Sequence, residues 1–434
     1  MIKKLLLSFI LLISLLVGSM PDSHAVTYTA SADFALKLTP APKNQVGFLH
    51  GIGATQPQTS VFSVLKPAYW RMAVSDTTTF NRAVAAGATP IIVISDGYGY
   101  PLNNWNGRGA VYSGGYAAWE AYIHSITAQY KGKRVIFDIW NEPDIAVWNT
   151  AQFWDGTAAQ FYETFRRGAL AIRQDLGSSA QIIGPSFANY DAPAMAAFLT
   201  YAAANGVRMD GLAWHELSGV DTNLSLIASH IATQKALIAS TYPNIGIKKY
   251  FIPESVGPAI TYHPGDILGV LYYLEQGLSD GSCRACWNDS TGSNNCFNNS
   301  QDGVVQKTTG SATRAAWWPY YYYAQIFRSR VTTTSSNSNL IVMAGKRPSK
   351  ILVGYAGTTP AAVDVTLTIK NPAALGYRGG TIKASIYKIP ATGEATVEAP
   401  TLVSTQQVTI TAGVGTVNLS NILLHELYEV RLSP

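Results

Sequence analysis

The chain has 434 residues, more than one compact core holds and enough for two domains, one of them large. Apolar residues make up 47% and charged residues 13%, which permits a sizeable core and excludes wholesale disorder. The formal net charge is +5, but the basic stretches at 131–134 and 346–350 are short, so the pattern speaks against nucleic acid as a partner.

Lys3 and Lys4 precede an apolar run from Leu5 to Val17, and Ser23-His24-Ala25 fits a small-x-small cleavage site. Residues 1–25 read as a signal peptide, and the run is short for a membrane span. The expected destination is secretion or the periplasm, with no membrane attachment after cleavage; an uncleaved anchor is the alternative. Residues 26–45 alternate enough to form a lead-in strand, open to joining a later sheet.

From residue 46 short apolar runs alternate with longer helical patterns, which predicts a parallel βα fold. The expected strands cover 47–53, 69–74, 90–96, 134–140, 181–187, 210–216 and 248–254, with a less regular eighth near Arg284 to Trp287. Helical spacing marks 116–130 and 157–176, the second capped by Thr157 and stopped at Gly177. Eight such units over residues 46–335 predict a (β/α)8 barrel; an open doubly wound sheet is disfavoured because no Gly-rich phosphate loop is present. Cys283, Cys286 and Cys296 suggest one local disulfide and one leftover thiol, with the pairing open. No histidine lies near them to complete a zinc site. They sit in an irregular stretch, 277–311, of a length that is usually functional or disordered. Residues 315–330 read as the eighth helix despite Pro319, its tyrosine run facing the barrel. From residue 336 short alternating segments with Gly, Pro and Asn turns predict a β-sandwich to residue 434.

In a barrel, function collects where strands end. His50, Arg71, Asp96, Asn141, Glu142, Asn189, His215, Glu216, Glu254 and Trp287 fall there. Burying an unpaired charge costs several kcal/mol, so carboxylates ending apolar strands are at a rim or in a site. The strongest signal is Val135-Ile-Phe-Asp-Ile-Trp-Asn-Glu-Pro-Asp144, where Pro143 turns the chain and leaves Glu142 at the mouth. The second is a strand ending in Glu254. Two carboxylates facing each other across a barrel suit glycoside hydrolysis, one as proton donor and one as attacking base.

Asn141-Glu142-Pro143 after the fourth strand, with a Glu ending the seventh, resembles clan A of the glycoside hydrolases. The Trp-Asn-Glu-Pro-Asp context, Gly184-Pro185-Ser186 and the trailing sandwich are similar to family 39 within it. The resemblance implies a retaining enzyme with Glu142 as acid/base and Glu254 as nucleophile. It implies that Asn141 holds the sugar 2-hydroxyl and helps hold the nucleophile. Arg71 would keep the nucleophile charged, His215 would touch it, and Trp287 would floor the subsite of the cleaved sugar. Ile252-Pro253-Glu254-Ser255 departs from the family, which more often shows Thr-Glu and an aromatic. Glu216 is an addition, either a binder of sugar hydroxyls or a rival nucleophile. His50 and Asp96 are further candidates for substrate binding. No metal or organic cofactor is expected. The expected partner is a poly- or oligosaccharide. The alternatives on the same scaffold are a non-catalytic polysaccharide-binding protein and a transglycosylase.

Overall fold

The structure is a computed structural model that describes residues 25–98, 116–144, 153–154, 156–358, 361–377 and 379–434. The expected leader, apart from Ala25, lies outside the described residues. Among the described residues no helix is long and apolar enough to cross a membrane.

Eight parallel strands close the expected barrel in chain order: β2 Gly47–Leu49, β3 Tyr69–Ala73, β4 Thr89–Val93, β5 Ile136–Asp138, β6 Gln181–Phe187, β7 Gly211–Trp214, β8 Lys249–Ser255 and β9 Gly281–Arg284. Most stop short of the sequence expectation. The runs leave the ladder as soon as the backbone turns to present a polar side chain: His50 has φ 48° and Ile94 leads into the 3-10 turn Ser95–Gly97. The eighth strand lies a turn earlier than expected, ending at Arg284 rather than near Trp287.

Inside the barrel, Tyr69, Ile91, Ile136, Ile183, Ala213, Phe251 and Cys283 pack as one apolar layer. Helices cover the outside. Ala158–Leu176 starts on a reciprocal cap between Thr157 and Gln160 and ends at Gly177, whose φ of 66° suits a residue without Cβ. Trp317–Ile326 tolerates Pro319 because the proline falls in the first turn, where its missing N–H has no partner to lose. Its Tyr320, Tyr322 and Tyr323 are buried.

The second sheet has nine strands in the order β15-β14-β17-β12-β11-β10-β1-β13-β16. They are β1 Val26–Lys37, β10 Arg330–Ser335, β11 Leu340–Lys346, β12 Ser349–Tyr355, β13 Val363–Lys370, β14 Thr381–Ile389, β15 Thr401–Thr409, β16 Val414–Ile422 and β17 Leu427–Ser433. β1 pairs parallel with β13 and antiparallel with β10. The sheet folds over one apolar core that includes Phe34, Leu340, Ile351, Leu367, Ile386 and Val430. Its edges meet where the Gln406 amide exchanges hydrogen bonds of 2.6 and 3.1 Å with the Asn418 backbone. The sandwich is therefore one continuous sheet doubled over.

The two parts share a face. Ile341, Met343, Leu352 and Leu427 of the sheet belong to the same apolar cluster as the barrel's helices. Helix Pro264–Gln276 lies on the sheet, with Gly265 N–H donating to His425 O at 2.8 Å and Asp266 2.5 Å from His425 Nδ1. A Cβ on Gly265 would meet the carbonyl oxygens of Glu426 and Tyr355 at 2.6 and 2.8 Å. Backbone cannot step aside as a side chain does, so Gly265→Ala is expected to destabilise the protein by about 1–3 kcal/mol. Denaturant titration checks this; an unchanged midpoint would show that the helix does not press on the sheet.

Candidate active site

Alternation along the strands lifts a polar layer above the apolar one. Tyr69 points inward, and so does Arg71 two residues on; Ile136 is followed by Asp138, and Ala213 by His215. Two further side chains are three residues beyond an inward one, so alternation alone would turn them out. Register shifts between Pro185 and Phe187 and between Ile252 and Ser255 re-aim Ser186 and Glu254.

Arg71 is buried at the centre of this layer. It donates from Nε and Nη2 to Asp138 Oδ2 at 3.0 and 2.8 Å, from Nη1 to Glu254 Oε1 at 2.5 Å and from Nη2 to Asn141 Oδ1 at 2.8 Å. Asp138 uses its other oxygen to accept from Ser186 Oγ at 2.7 Å. Its position in the middle of the expected strand, 134–140, kept it out of the sequence-derived candidates, which were sought at strand ends, although the strand itself ends at Asp138. The signal was present: a carboxylate in an apolar run, four residues before Glu142.

Glu142 is buried and sits in the left-handed region at φ 46°. Such a backbone costs roughly 1–3 kcal/mol for a residue with a side chain and needs outside support. Neighbouring strands supply it. Asn141 N–H donates to Ser95 Oγ at 3.0 Å, Glu142 N–H to Ser186 O at 2.9 Å, and Asp144 Oδ1 accepts from Ala188 N–H at 2.8 Å. The Glu142 carboxyl lies 2.8 Å from His215 Nδ1. One donor atom each from Glu142, His215 and Glu254 lies within 4.8 Å of the others. A divalent cation could bridge three such groups, but the Arg71 guanidinium already occupies Glu254 and opposes a second positive charge there.

Burial sets the proton affinities. It pushes Glu142 up to about 7, with Arg71 opposing and Asp96 adding to the rise. Burial also lifts Glu254 above the ordinary value, opposed by His215 and Arg71. It pulls His215 down to about 4, so the ring is neutral at pH 7. Burial works against the charge on Arg71, yet Asp138 and Glu254 outweigh it and hold the guanidinium charged. One cation thus serves two directly bonded carboxylates, and Glu142, which has no cation bonded to it, is the one left to carry a proton.

The other expected residues are distributed as follows. Asn141 reaches Arg71 rather than Glu254. His50 and Asp96 stand together at the mouth, Nε2 to Oδ2 3.9 Å. The Trp287 indole donates to Val256 O at 2.9 Å, tying it to the chain just beyond Glu254. Glu216 is bonded elsewhere. Its carboxylate accepts from Trp214 Nε1 at 2.7 Å and pairs with His230 of helix Leu226–Thr241 at 2.9 Å. As the residue after inward-facing His215 it faces the helix layer rather than the layer that holds Glu142 and Glu254. The expected disulfide joins Cys286 to Cys296, and Cys283 is the free thiol, buried inside the barrel.

No family model and no curated protein matches the chain. Solved structures do. A protein of Neocallimastix frontalis matches at 20% identity and TM-score 0.74, over 94% of this chain and all of that one, 100%. A glycoside hydrolase family 39 enzyme from Xanthomonas axonopodis pv. citri matches at 15% identity and TM-score 0.64, over 96% and 100%. A monomeric β-xylosidase from Caulobacter crescentus matches at 13% and 0.61, over 94% and 100%. The resemblance to clan A, with family 39 within it, is thus met by the fold, barrel and sandwich together.

Asp138→Ala would leave a buried guanidinium with half its bonds. It is expected to cost about 3–5 kcal/mol of stability. Thermal unfolding measures this, and a loss below 1 kcal/mol would mean that Asp138 does not hold Arg71.

Proposed function

We propose that this chain is a retaining glycoside hydrolase that cleaves an O-glycosidic bond of a poly- or oligosaccharide, exported to the periplasm or the medium. The observation that carries the reading is the pair of buried carboxylates, Glu142 and Glu254, with oxygens within 4.8 Å and only one of them bonded to the buried arginine. Retaining enzymes hold their carboxyl groups about 5–5.5 Å apart, and inverting ones leave about 6.5–9.5 Å for a water. The fold neighbours agree: they include a family 39 enzyme and a β-xylosidase.

In this reading an oxygen of Glu254 attacks the anomeric carbon while Glu142 gives its proton to the departing glycosidic oxygen. A glycosyl ester on Glu254 results, and the freed alcohol leaves. Glu142, now ionised, takes a proton from water as that water attacks the same carbon. Glu254 departs as carboxylate, and the sugar keeps its anomeric configuration. Neutral His215 faces Glu142 in both halves. With its proton on Nδ1 the ring donates to Glu142 Oε1 whether Glu142 is protonated or ionised, which leaves the other carboxyl oxygen to carry the proton that is transferred. Arg71 spreads its charge over Glu254 and Asp138 and keeps the attacking carboxylate ionised. Asn141, fixed by Arg71, would meet the 2-hydroxyl, and Trp287 would face the cleaved sugar. No cofactor enters any step.

Glu142 must be protonated for the first step, so kcat/KM falls as pH rises through about 7. Glu254 must be ionised, so activity is also lost on acidification, at a pH displaced upward from the ordinary glutamate value. Glu142→Gln is expected to lower kcat by about 10²–10⁴ and to abolish the basic limb. Glu254→Gln is expected to abolish turnover, and NMR of the first product should show retained configuration. An inverted product, or full activity in either variant, would sink the mechanism.

A further inference from the structure

The loop after β9 holds a side chain that the reaction above does not use. Phe297, directly after the disulfide-bonded Cys296, is 71% exposed, the most exposed of the large apolar side chains among the described residues. A single exposed apolar side chain is ordinary on a surface. This one is fixed in place and fixed beside the site. Cys296 is bridged to Cys286, and its carbonyl accepts from Gly51 N–H at 2.8 Å. Phe297 N–H donates to Asn294 O at 3.1 Å, and Cys296 N–H to Asn294 Oδ1 at 2.9 Å. The Phe297 ring centroid is 5.3 Å from that of His50, with the planes tilted by 32°. His50 N–H is bonded to Arg71 O at 2.9 Å, and its ring is 3.9 Å from Asp96. Asp96 in turn lies close enough to Glu142 and Glu254 for its charge to act on both. Contacts of 5.3 and 3.9 Å thus join this apolar ring to His50 and Asp96, whose charge reaches the paired carboxylates.

We propose that Phe297 is the stacking platform for a second sugar ring, so that the site takes a sugar chain rather than a single glycosyl unit. The inference rests on the glycosidase reading and deepens it. A sugar ring presents an apolar C–H face to an aromatic ring and hydroxyls at its edge. His50 and Asp96 lie beside the platform to meet those hydroxyls. The disulfide and the backbone bonds fix the loop before the ligand arrives, so little freedom is lost on binding.

The test uses linear tetrasaccharides of xylose, glucose and galactose and the matching 4-nitrophenyl monosaccharides. Calorimetry on Glu142→Gln should show binding of at least one tetrasaccharide, weakened about 2- to 10-fold when Phe297→Ala is added and restored by Phe297→Trp. In the active protein, Phe297→Ala should lower kcat/KM for that tetrasaccharide more than for the 4-nitrophenyl monosaccharide. An equal fall on both, or no fall on either, overturns the platform, as does the absence of tetrasaccharide binding. If tetrasaccharides bind through Phe297 but no sugar is ever released, the platform stands and the hydrolase reading fails.

Discussion

Everything at the mouth of this barrel is organised around one buried positive charge. A guanidinium removed from water is tolerated only when its donors are filled by well-placed acceptors. Arg71 has three: Asp138, Glu254 and Asn141. That arrangement also sorts the acids. Among the described residues, Asp138, Glu254 and Glu142 are the carboxyl groups bonded into this network, and Arg71 is its cation. The two that touch it can share its charge; the third, Glu142, faces a neutral imidazole and keeps its proton near neutral pH. On the reading proposed above, the division into attacking base and proton donor follows from which carboxylate reaches the arginine.

The barrel wall must deliver these groups from five strands, and simple alternation delivers only three of them. Arg71, Asp138 and His215 follow the two-residue rhythm set by the apolar layer beneath. Ser186 and Glu254 need a break in register, and Glu142 needs a left-handed backbone. Each irregularity sits at the layer where the chemistry is, and the regular ladder below it supplies the rigidity. Ser186 ties two of them together, since its hydroxyl holds Asp138 while its carbonyl holds the Glu142 turn.

This explains what was legible in the sequence. Apolar runs with turn residues between them were enough to find seven of the eight strands, because a parallel strand covered on both faces is apolar throughout; the eighth, Gly281–Arg284, has no such run and was expected nearer Trp287. Glu142 and Glu254 were visible because a carboxylate at the end of such a run is costly without a use. The aim of a side chain was harder to read. His215 and Glu216 are neighbours and therefore face opposite ways; small Ala213 on the inner face was the available clue, and it favours His215. Asp138 was passed over because candidates were sought at strand ends, and the partner that makes a carboxylate tolerable inside an apolar run comes from a strand 67 residues away. The cysteine pairing was open for the same reason: only the closed barrel shows that Cys283 points inward and is out of reach of the others.

The second sheet bears on the site through the strand that carries Glu254. After β8 the chain passes through a 3-10 turn at Pro258–Ile260 into helix Pro264–Gln276, and that helix is fastened to the sheet at both ends. At its start Gly265 bonds to His425, and Asp266 accepts from Gly357 N–H at 3.2 Å and lies 2.5 Å from His425 Nδ1. At its end Glu275 accepts from Arg330 of β10 at 3.1 Å, both side chains buried. The sheet itself is completed by β1, which enters between β10 and β13 from the other end of the sequence. A register shift such as the one that aims Glu254 is stable only if the chain on either side of it cannot slide. Strands β7 and β9 hold one side, and the helix on its sheet holds the other. The trailing domain thus has a structural reason to be there that is independent of any ligand it binds.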